Sequence, residues 1–477
     1  MKKEFSKNTA EVFTKTMFHY IPEILKYIDE IKEPRKRYDY SMRYLMMSEM
    51  LMFLCEGRSQ RFTETAYEDT SYLENINKII KQDLKKIPDA EIYTDVFSRI
   101  EKEEIEEFQY KINYQMIRNK VYENAKVLGK YNLLIDGSRF QKAHYEISPE
   151  WLSQTKEGKT TWYLSMLEMK LVANSMAVSI MSEMIKNRDK KKENETDEDV
   201  KRKSEEEIKQ DCEINATKRL LPKFRKKYSR LPVRIIADSL YPSIEIMKMC
   251  EELTFEYIFV LKDKKIPTLT REFLDLVSLP EGNRQLVENE KEIILTMWVN
   301  EIDYHGIKTN IIRQIKKNKK DGKYAIWMWM TNREITKKNI NKIISCAKLR
   351  DYIENQGFKE QKVTSGIDLE HVYSKDIKAI KVIYTIIQIT HLILQIIEHS
   401  DICGEFNKKY GSVKVFRRQF YAYLTRTSIN IEIIQIKIQI RFDNSTSSYL
   451  NYTEEHWKNQ ILKRSNIGTF CALGTKS

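Results

Sequence analysis

Two short apolar runs, 102 positions apart, each close on an aspartate. Tyr131-Asn132-Leu133-Leu134-Ile135 leads into Asp136 and then Gly137-Ser138, while Val233-Arg234-Ile235-Ile236-Ala237 leads into Asp238 and then Ser239-Leu240-Tyr241. Apolar runs of this length bounded by turn formers read as buried strands. A carboxylate at the C-terminal end of such a strand stands where open α/β sheets present their ligand groups. A third carboxylate, Glu354, lies in Arg350-Asp351-Tyr352-Ile353-Glu354-Asn355-Gln356, within a segment of helical pattern. Two strand-end aspartates and one helical glutamate make an all-oxygen set suited to Mg²⁺, which takes hard ligands and keeps waters or substrate phosphates in its remaining positions. Singly, each residue has a plainer reading. A lone strand-end Asp is more often a cap or turn residue, and Gly137, Ser138 and Ser239 suit that role. Glu354 paired with Arg350 at i, i−4 would be an ordinary surface contact worth roughly 0.2–0.5 kcal/mol. The plain readings require three coincidences around one sheet edge.

The rest of the chain shows how such a sheet is framed. Residues 1 to about 128 read as helical: Ile24 to Ile31, Arg43 to Leu54 and the charged stretch Ile100 to Lys126 all carry helical spacing. From Tyr131 the period changes. Thr160 to Ala173 and Met176 to Ile185 read as a hairpin turned at Asn174-Ser175. A charged run from Asn187 to Gln210 leads into Asp211-Cys212-Glu213-Ile214-Asn215-Ala216, a helix that Pro222 is expected to end or kink. Val233 to Ala237, a helix from about Ser243 to Leu253 and Tyr257 to Leu261 follow. Three strands in a meander, then helix, strand, helix, strand, is the order of an RNase H-like core. Residues 263 to 331 turn β again, with Ile293 to Val299, Ile307 to Gln314 and Tyr324 to Thr331 separated by turns at Gly306 and Asp321-Gly322.

Bulk properties narrow the partners. The 477 residues exceed one ordinary core, and 41% hydrophobic content supports packed domains. A net charge of +13 favours a polyanion, since each neutralised phosphate releases condensed counterion. The 6 cysteines form no C-x-x-C pair, so zinc is not expected and a reducing compartment is. Ile377 to Ile397 is the nearest thing to a membrane span, but Lys378, Lys381, Gln388, His391 and Gln395 within it point to a partly buried amphipathic helix. The N-terminus lacks the apolar segment of a signal peptide, and the reading is of a soluble, intracellular protein without a membrane partner.

Taken together, Leu-Leu-Ile-Asp136-Gly-Ser, Asp211-Cys-Glu-Ile-Asn-Ala, Ile-Ile-Ala-Asp238-Ser-Leu-Tyr-Pro and Tyr-Ile-Glu354-Asn-Gln-Gly-Phe resemble the DDE transposases of bacterial insertion sequences, in particular the subgroup with a β-strand domain inserted before the catalytic Glu. The resemblance covers roughly residues 40 to 400, with an echo at Lys437-Ile-Gln-Ile-Arg-Phe. It implies an α/β fold: an RNase H-like mixed five-stranded sheet with an inserted antiparallel β subdomain and an N-terminal helical domain. The expected division is 1–128 (helical, possible DNA binding), 129–262 (core, first part), 263–331 (β insertion), 332–405 (core, second part with the Glu helix) and 406–477 (dimerisation or DNA contact). The implied activity is cut-and-paste transposition, by strand cleavage and strand transfer. Asp136, Asp238 and Glu354 would be the catalytic residues and the ligands of two Mg²⁺ ions, with Mn²⁺ as a substitute. Double-stranded DNA, as transposon ends and target, is the implied partner of a homodimer in the bacterial cytoplasm, associated with the nucleoid. Relatives also place a Tyr, an Arg and a Lys about the Glu. Arg350 matches the Arg, about 40° from Glu354 on an ideal α-helix. Ala347 stands at the Tyr position and Gln361 at the Lys position, with Lys362 next to it, so Arg350 and Lys362 are the expected DNA contacts. Gly357 is a possible early helix end. Trp298, in the insertion, is the choice for stacking on an unpaired base.

Two other functions share these features. One is a catalytically silent DNA-binding protein descended from a transposase; the other is an RNase H-like nuclease acting on RNA or recombination intermediates. The intact carboxylate set argues against the first, and the β insertion with Asp211-Cys212-Glu213 argues against the second.

Overall fold

A computed structural model describes residues 8–435 apart from 56, 58, 67, 69, 187–195, 197, 199–204, 263–265, 365–366 and 400–412. The fold is mixed α/β, with one large mixed sheet. Its strands are β1 (Tyr131–Ala143), β2 (Leu152–Lys156), β3 (Lys159–Ala173), β4 (Met176–Ile185), β5 (Val233–Ala237), β6 (Glu256–Leu261), β7 (Asn283–Glu288), β8 (Glu292–Tyr304), β9 (Ile307–Asn318) and β10 (Tyr324–Thr331). They run in the order β2-β3-β1-β5-β6-β10-β9-β8-β7, with β4 also on β3. The β3–β4 hairpin turns at Asn174 and Ser175 with φ of 48° and 64°, the left-handed pair that a two-residue turn matched to strand twist requires.

The chain divides into two compact units. The second unit comprises Lys126–Asp136 and Glu206–Asp351 among the described residues. Here β1, β5 and β6 are parallel, paired Asn132 with Arg234 and Arg234 with Glu256. That rung is polar and buried. Arg234 is wholly enclosed; its Nε donates to Glu256 Oε1 at 2.5 Å and its Nη1 to Asn132 Oδ1 at 2.9 Å. Arg333 Nη1 reaches the second Glu256 oxygen at 2.8 Å. A buried guanidinium costs heavily unless its donors are matched, so this rung selects one register among those the apolar residues alone would tolerate.

The expected β insertion is antiparallel but does not project from the core. β10 pairs antiparallel with β6, Met328 opposite Leu261 through Thr331 opposite Ile258, so β7 to β10 continue the main sheet. An uncovered β6 edge would leave a row of unpaired backbone groups, and β10 covers it. A helix, Pro267–Ser278, precedes these strands where only β structure was expected. The Glu205–Lys227 helix runs through Pro222 without ending. Leu220, Leu221 and Phe224 are buried while Pro222 is exposed, so packing on the inner face outweighs the bond lost on the solvated one.

The first unit takes the described residues up to Ala125, Gly137–Glu205, and those from Tyr352 on. The N-terminal helical region is therefore not a separate domain: in the Lys102–Arg118 helix, Gln109 Nε2 donates to Ser179 Oγ at 3.1 Å and Asn113 Nδ2 to the Ser179 carbonyl at 3.0 Å, both on β4. The Val413–Arg426 helix also belongs to this unit, Arg417 Nε donating to the Leu54 carbonyl at 2.9 Å. Residues 436–477, including Lys437-Ile-Gln-Ile-Arg-Phe and most of the expected C-terminal region, lie outside the described residues. Ile377–His399 is a core helix whose apolar window is wholly buried in the protein. Its polar residues have dedicated partners: Lys381 with Ser182 Oγ at 3.1 Å, Gln388 with Lys170 Nζ at 2.9 Å, His391 with Glu360 at 2.9 Å, and Gln395 Oε1 with the Ala177 N–H at 2.9 Å.

Two stability predictions follow from these buried groups. Arg234→Met leaves Glu256 in the core with half its partners and is expected to cost about 3–5 kcal/mol, read as a lower urea midpoint. Glu49 is 1% exposed and burial pushes its carboxyl up to about 8, against one hydrogen bond from Gln60. The folded state thus keeps a proton that the unfolded state releases above about 4.5, and stability from this site falls as pH rises from there to about 8. Thermal melts of Glu49→Gln should match wild type near pH 4.5 and exceed it increasingly toward pH 8.

Candidate active site

The register of β1 and β5 decides where the two aspartates stand. Tyr131 pairs with Val233 and Leu134 with Ile236, an offset of 102 that Asp136 and Asp238 share. The pairing ends at Leu134–Ile236; Asp136 follows two residues further along β1 and Asp238 one residue beyond β5, and the charges of both bear on the buried Tyr241 phenol. Strand alternation also puts Asn132, Leu134 and Asp136 on one face, and Arg234 and Ile236 on the matching face of β5.

A local turn holds Asp238, whereas Asp136 lies within β1. Asp238 lies one residue beyond β5, where its Oδ1 accepts the Leu240 N–H at 2.8 Å, the Asx turn that its short side chain favours. The turn continues from the Tyr241 N–H to the Asp238 carbonyl at 3.3 Å and ends at Ser243, which caps the Ile244–Glu252 helix through Ile246 N–H. Arg350 Nη2 is 3.8 Å from Asp136 Oδ2, an ion-pair distance longer than a direct hydrogen bond, with both side chains largely covered. The Asx turn at Asp238 is the plain role that its sequence also allowed.

Glu354 belongs to the first unit and is exposed. It opens a π-helical segment, Ile353–Thr364, that follows one α-turn at Arg350–Tyr352. The 100° spacing behind the expected Arg350–Glu354 phase therefore stops at Ile353, where bonding passes from i→i+4 to i→i+5. Gly357 does not end the helix; a Cβ there would come within 3.1 Å of Lys170 Cδ, so the glycine admits a buried lysine. Burial pushes the Lys170 ammonium down and Glu168 beside it, at 3.6 Å, pushes back. Gln361 is wholly buried and donates to Gln388 Oε1 at 2.8 Å, which explains why no lysine stands at that position.

The expected contact Lys362 is 3.3 Å from Glu370, which also accepts from Lys142 at 2.6 Å. The expected stacking role of Trp298 is corrected: Trp298 is 2% exposed, opposite Asn283 of β7 and Ile312 of β9, and presents no face to a base. β8 also packs against the Pro267–Ser278 helix. Of the tryptophans in these strands, Trp327 is half-buried, with Lys348 Nζ 5.0 Å from its ring centre. The sequence signal missed was the lysine at position 170 inside the run Leu164 to Val172: a charge in a buried strand demands partners.

Carboxylate oxygens such as those of Asp136 and Asp238 suit a divalent cation such as Mg²⁺, which commonly takes one or two protein carboxylates and leaves other positions to water or phosphate. Among the described residues no three His, Cys, Asp or Glu side chains are grouped as a cation cage. No protein-family model matches the chain, and no curated protein matches it.

Gly357→Ala tests the fit beneath Glu354. The added methyl must displace the Lys170 stem, and a loss of about 1–3 kcal/mol is expected in chemical unfolding.

Proposed function

We propose that this chain is a metal-dependent DNA transposase, cutting and joining strands at the ends of an insertion sequence. What supports the reading is that Asp136 within β1 and Asp238 just past the parallel strand β5 share the β1–β5 offset of 102 and both bear electrostatically on the buried Tyr241, with Arg350 beside Asp136. The order β4-β3-β1-β5-β6 within the sheet supports an RNase H-like core, and the +13 charge supports a nucleic-acid partner. Glu354 enters as the third ligand through the motif resemblance. Double-stranded DNA, a homodimer on paired ends and a bacterial cytoplasmic, nucleoid-associated setting come with the same resemblance.

In this reading Asp136 and Asp238 would hold Mg²⁺, and Arg350 would offset their charge and contact a phosphate oxygen. Such an ion, when bound, would supply charge stabilisation for phosphate oxygens and a more acidic water or 3′-OH. Without it, the paired carboxylates repel the DNA backbone, and the Asp238 turn keeps its carboxylate in place between turnovers.

Asp136→Asn keeps the side-chain shape and removes a negative ligand. Cleavage of the element's own end should fall by about three orders of magnitude or more while affinity for that end holds or rises. Arg350→Ala should weaken end binding and lower its salt slope by about one phosphate contact. Gel shifts and nicking assays at two salt concentrations, with Mg²⁺ or Mn²⁺, check both. Full cleavage by Asp136→Asn removes that residue from the mechanism, and wild-type protein that binds ends without nicking them favours the silent DNA-binding alternative.

A further inference from the structure

The Asp211-Cys212-Glu213 motif has no place in the chemistry above, yet its glutamate is buried in the same unit as the two aspartates. Glu213 is 2% exposed and Tyr241 1%. Tyr241 ends the turn that begins at Asp238, and its hydroxyl reaches the Glu205–Lys227 helix. There it donates to Glu213 Oε2 over a long 3.5 Å and also hydrogen-bonds Thr217. Glu213 and Thr217 are four apart, one above the other on a helix face, and Thr217 Oγ1 donates to the Glu213 carbonyl at 2.8 Å. A phenol buried between a carboxylate and a hydroxyl thus ties the Asp238 turn to a long helix.

We propose that Tyr241 and Glu213 form a positioning pair that fixes the Asp238 carboxylate for metal binding, an inference that rests on the proposed metal-dependent reaction. The turn carries the constraint: Leu240 N–H holds one Asp238 oxygen, Tyr241 N–H holds the Asp238 carbonyl, and the phenol anchors the end of the turn on the helix. Burial above all, and then the charges of Glu213, Asp136 and Asp238, push the Tyr241 phenol well above its ordinary pKa, so it stays a donor. In this proposal Glu213 acts through the phenol, its Oε2 accepting from the Tyr241 hydroxyl.

The test is Mn²⁺ binding to the full chain without DNA, followed by electron paramagnetic resonance, for wild type, Tyr241→Phe, Glu213→Gln and the double variant, with thermal melts of each. Each single variant should bind Mn²⁺ about tenfold more weakly, the size of effect seen when a ligand loses its orienting partner. The double variant should be no weaker than either single one, and melting should be unchanged. Glu213→Gln is near-isosteric and serves if Tyr241→Phe does not fold. Wild type that binds no Mn²⁺ overturns the metal reading and this inference with it. Wild type that binds while both variants bind equally well overturns the inference alone. Weakening by Glu213→Gln but not by Tyr241→Phe would make Glu213 a ligand, and weakening that tracks a lower melting temperature would make the pair merely structural; either result overturns it.

Discussion

Arg234 is the side chain on which the candidate site depends. It lies in the middle strand of three, and its guanidinium is matched on one side by Asn132 and on the other by Glu256. A slip of one residue would turn Arg234 to the opposite face and leave Glu256 in the core with Arg333 alone. Apolar neighbours such as Leu133, Ile235 and Ile258 discriminate poorly between registers, because any of them packs acceptably against any other. The polar rung therefore fixes the β1–β5 register that runs from Tyr131–Val233 to Leu134–Ile236. Asp136 and Asp238 stand four residues beyond Asn132 and Arg234 and share the offset that the rung sets.

This arrangement separates the two demands on the site. Rigidity comes from the buried rung, where donors and acceptors are matched out of water. Less constraint acts at the aspartates, where an Asx turn holds Asp238 and Arg350 stands 3.8 Å from Asp136. An ion pair at that separation constrains geometry little. A tighter Arg350–Asp136 bond would compete with any metal for the same oxygen.

Much of this was legible in the residues. β1, β5 and β10 begin at the positions that their apolar runs predict, and the β3–β4 hairpin turns at Asn174-Ser175 as expected. What escaped was tertiary in origin. Local pattern reads 263–331 as antiparallel β, which holds for the strands but not for the Pro267–Ser278 helix, and whether β10 joins β6 depends on an edge that no local window contains. Trp298 reads as amphipathic and aromatic in isolation; its burial depends on what packs over the sheet face. Lys362 reads as a free cation until the chain returns at Glu370. Helical phase around Glu354 was inferred from α geometry, and the change at Ile353 follows no sequence rule used here beyond the presence of Gly357.

The signals that did carry long-range information were polar residues inside apolar runs. Asn132 and Arg234 interrupt strands, Lys170 interrupts another, and Lys381, Gln388, His391 and Gln395 interrupt a helix hydrophobic enough to enter a bilayer. Each has a partner distant in sequence, and each would be costly if its element packed in any other way. Apolar residues state that a segment is buried, whereas a buried polar one states against what. The same reasoning discounts the net charge of +13 as a measure of phosphate affinity. Lys170 and Lys381 are enclosed, and Lys362 and Arg234 are answered by glutamates, so part of the basic excess serves packing. What remains for a polyanion is set by where the solvated cations lie.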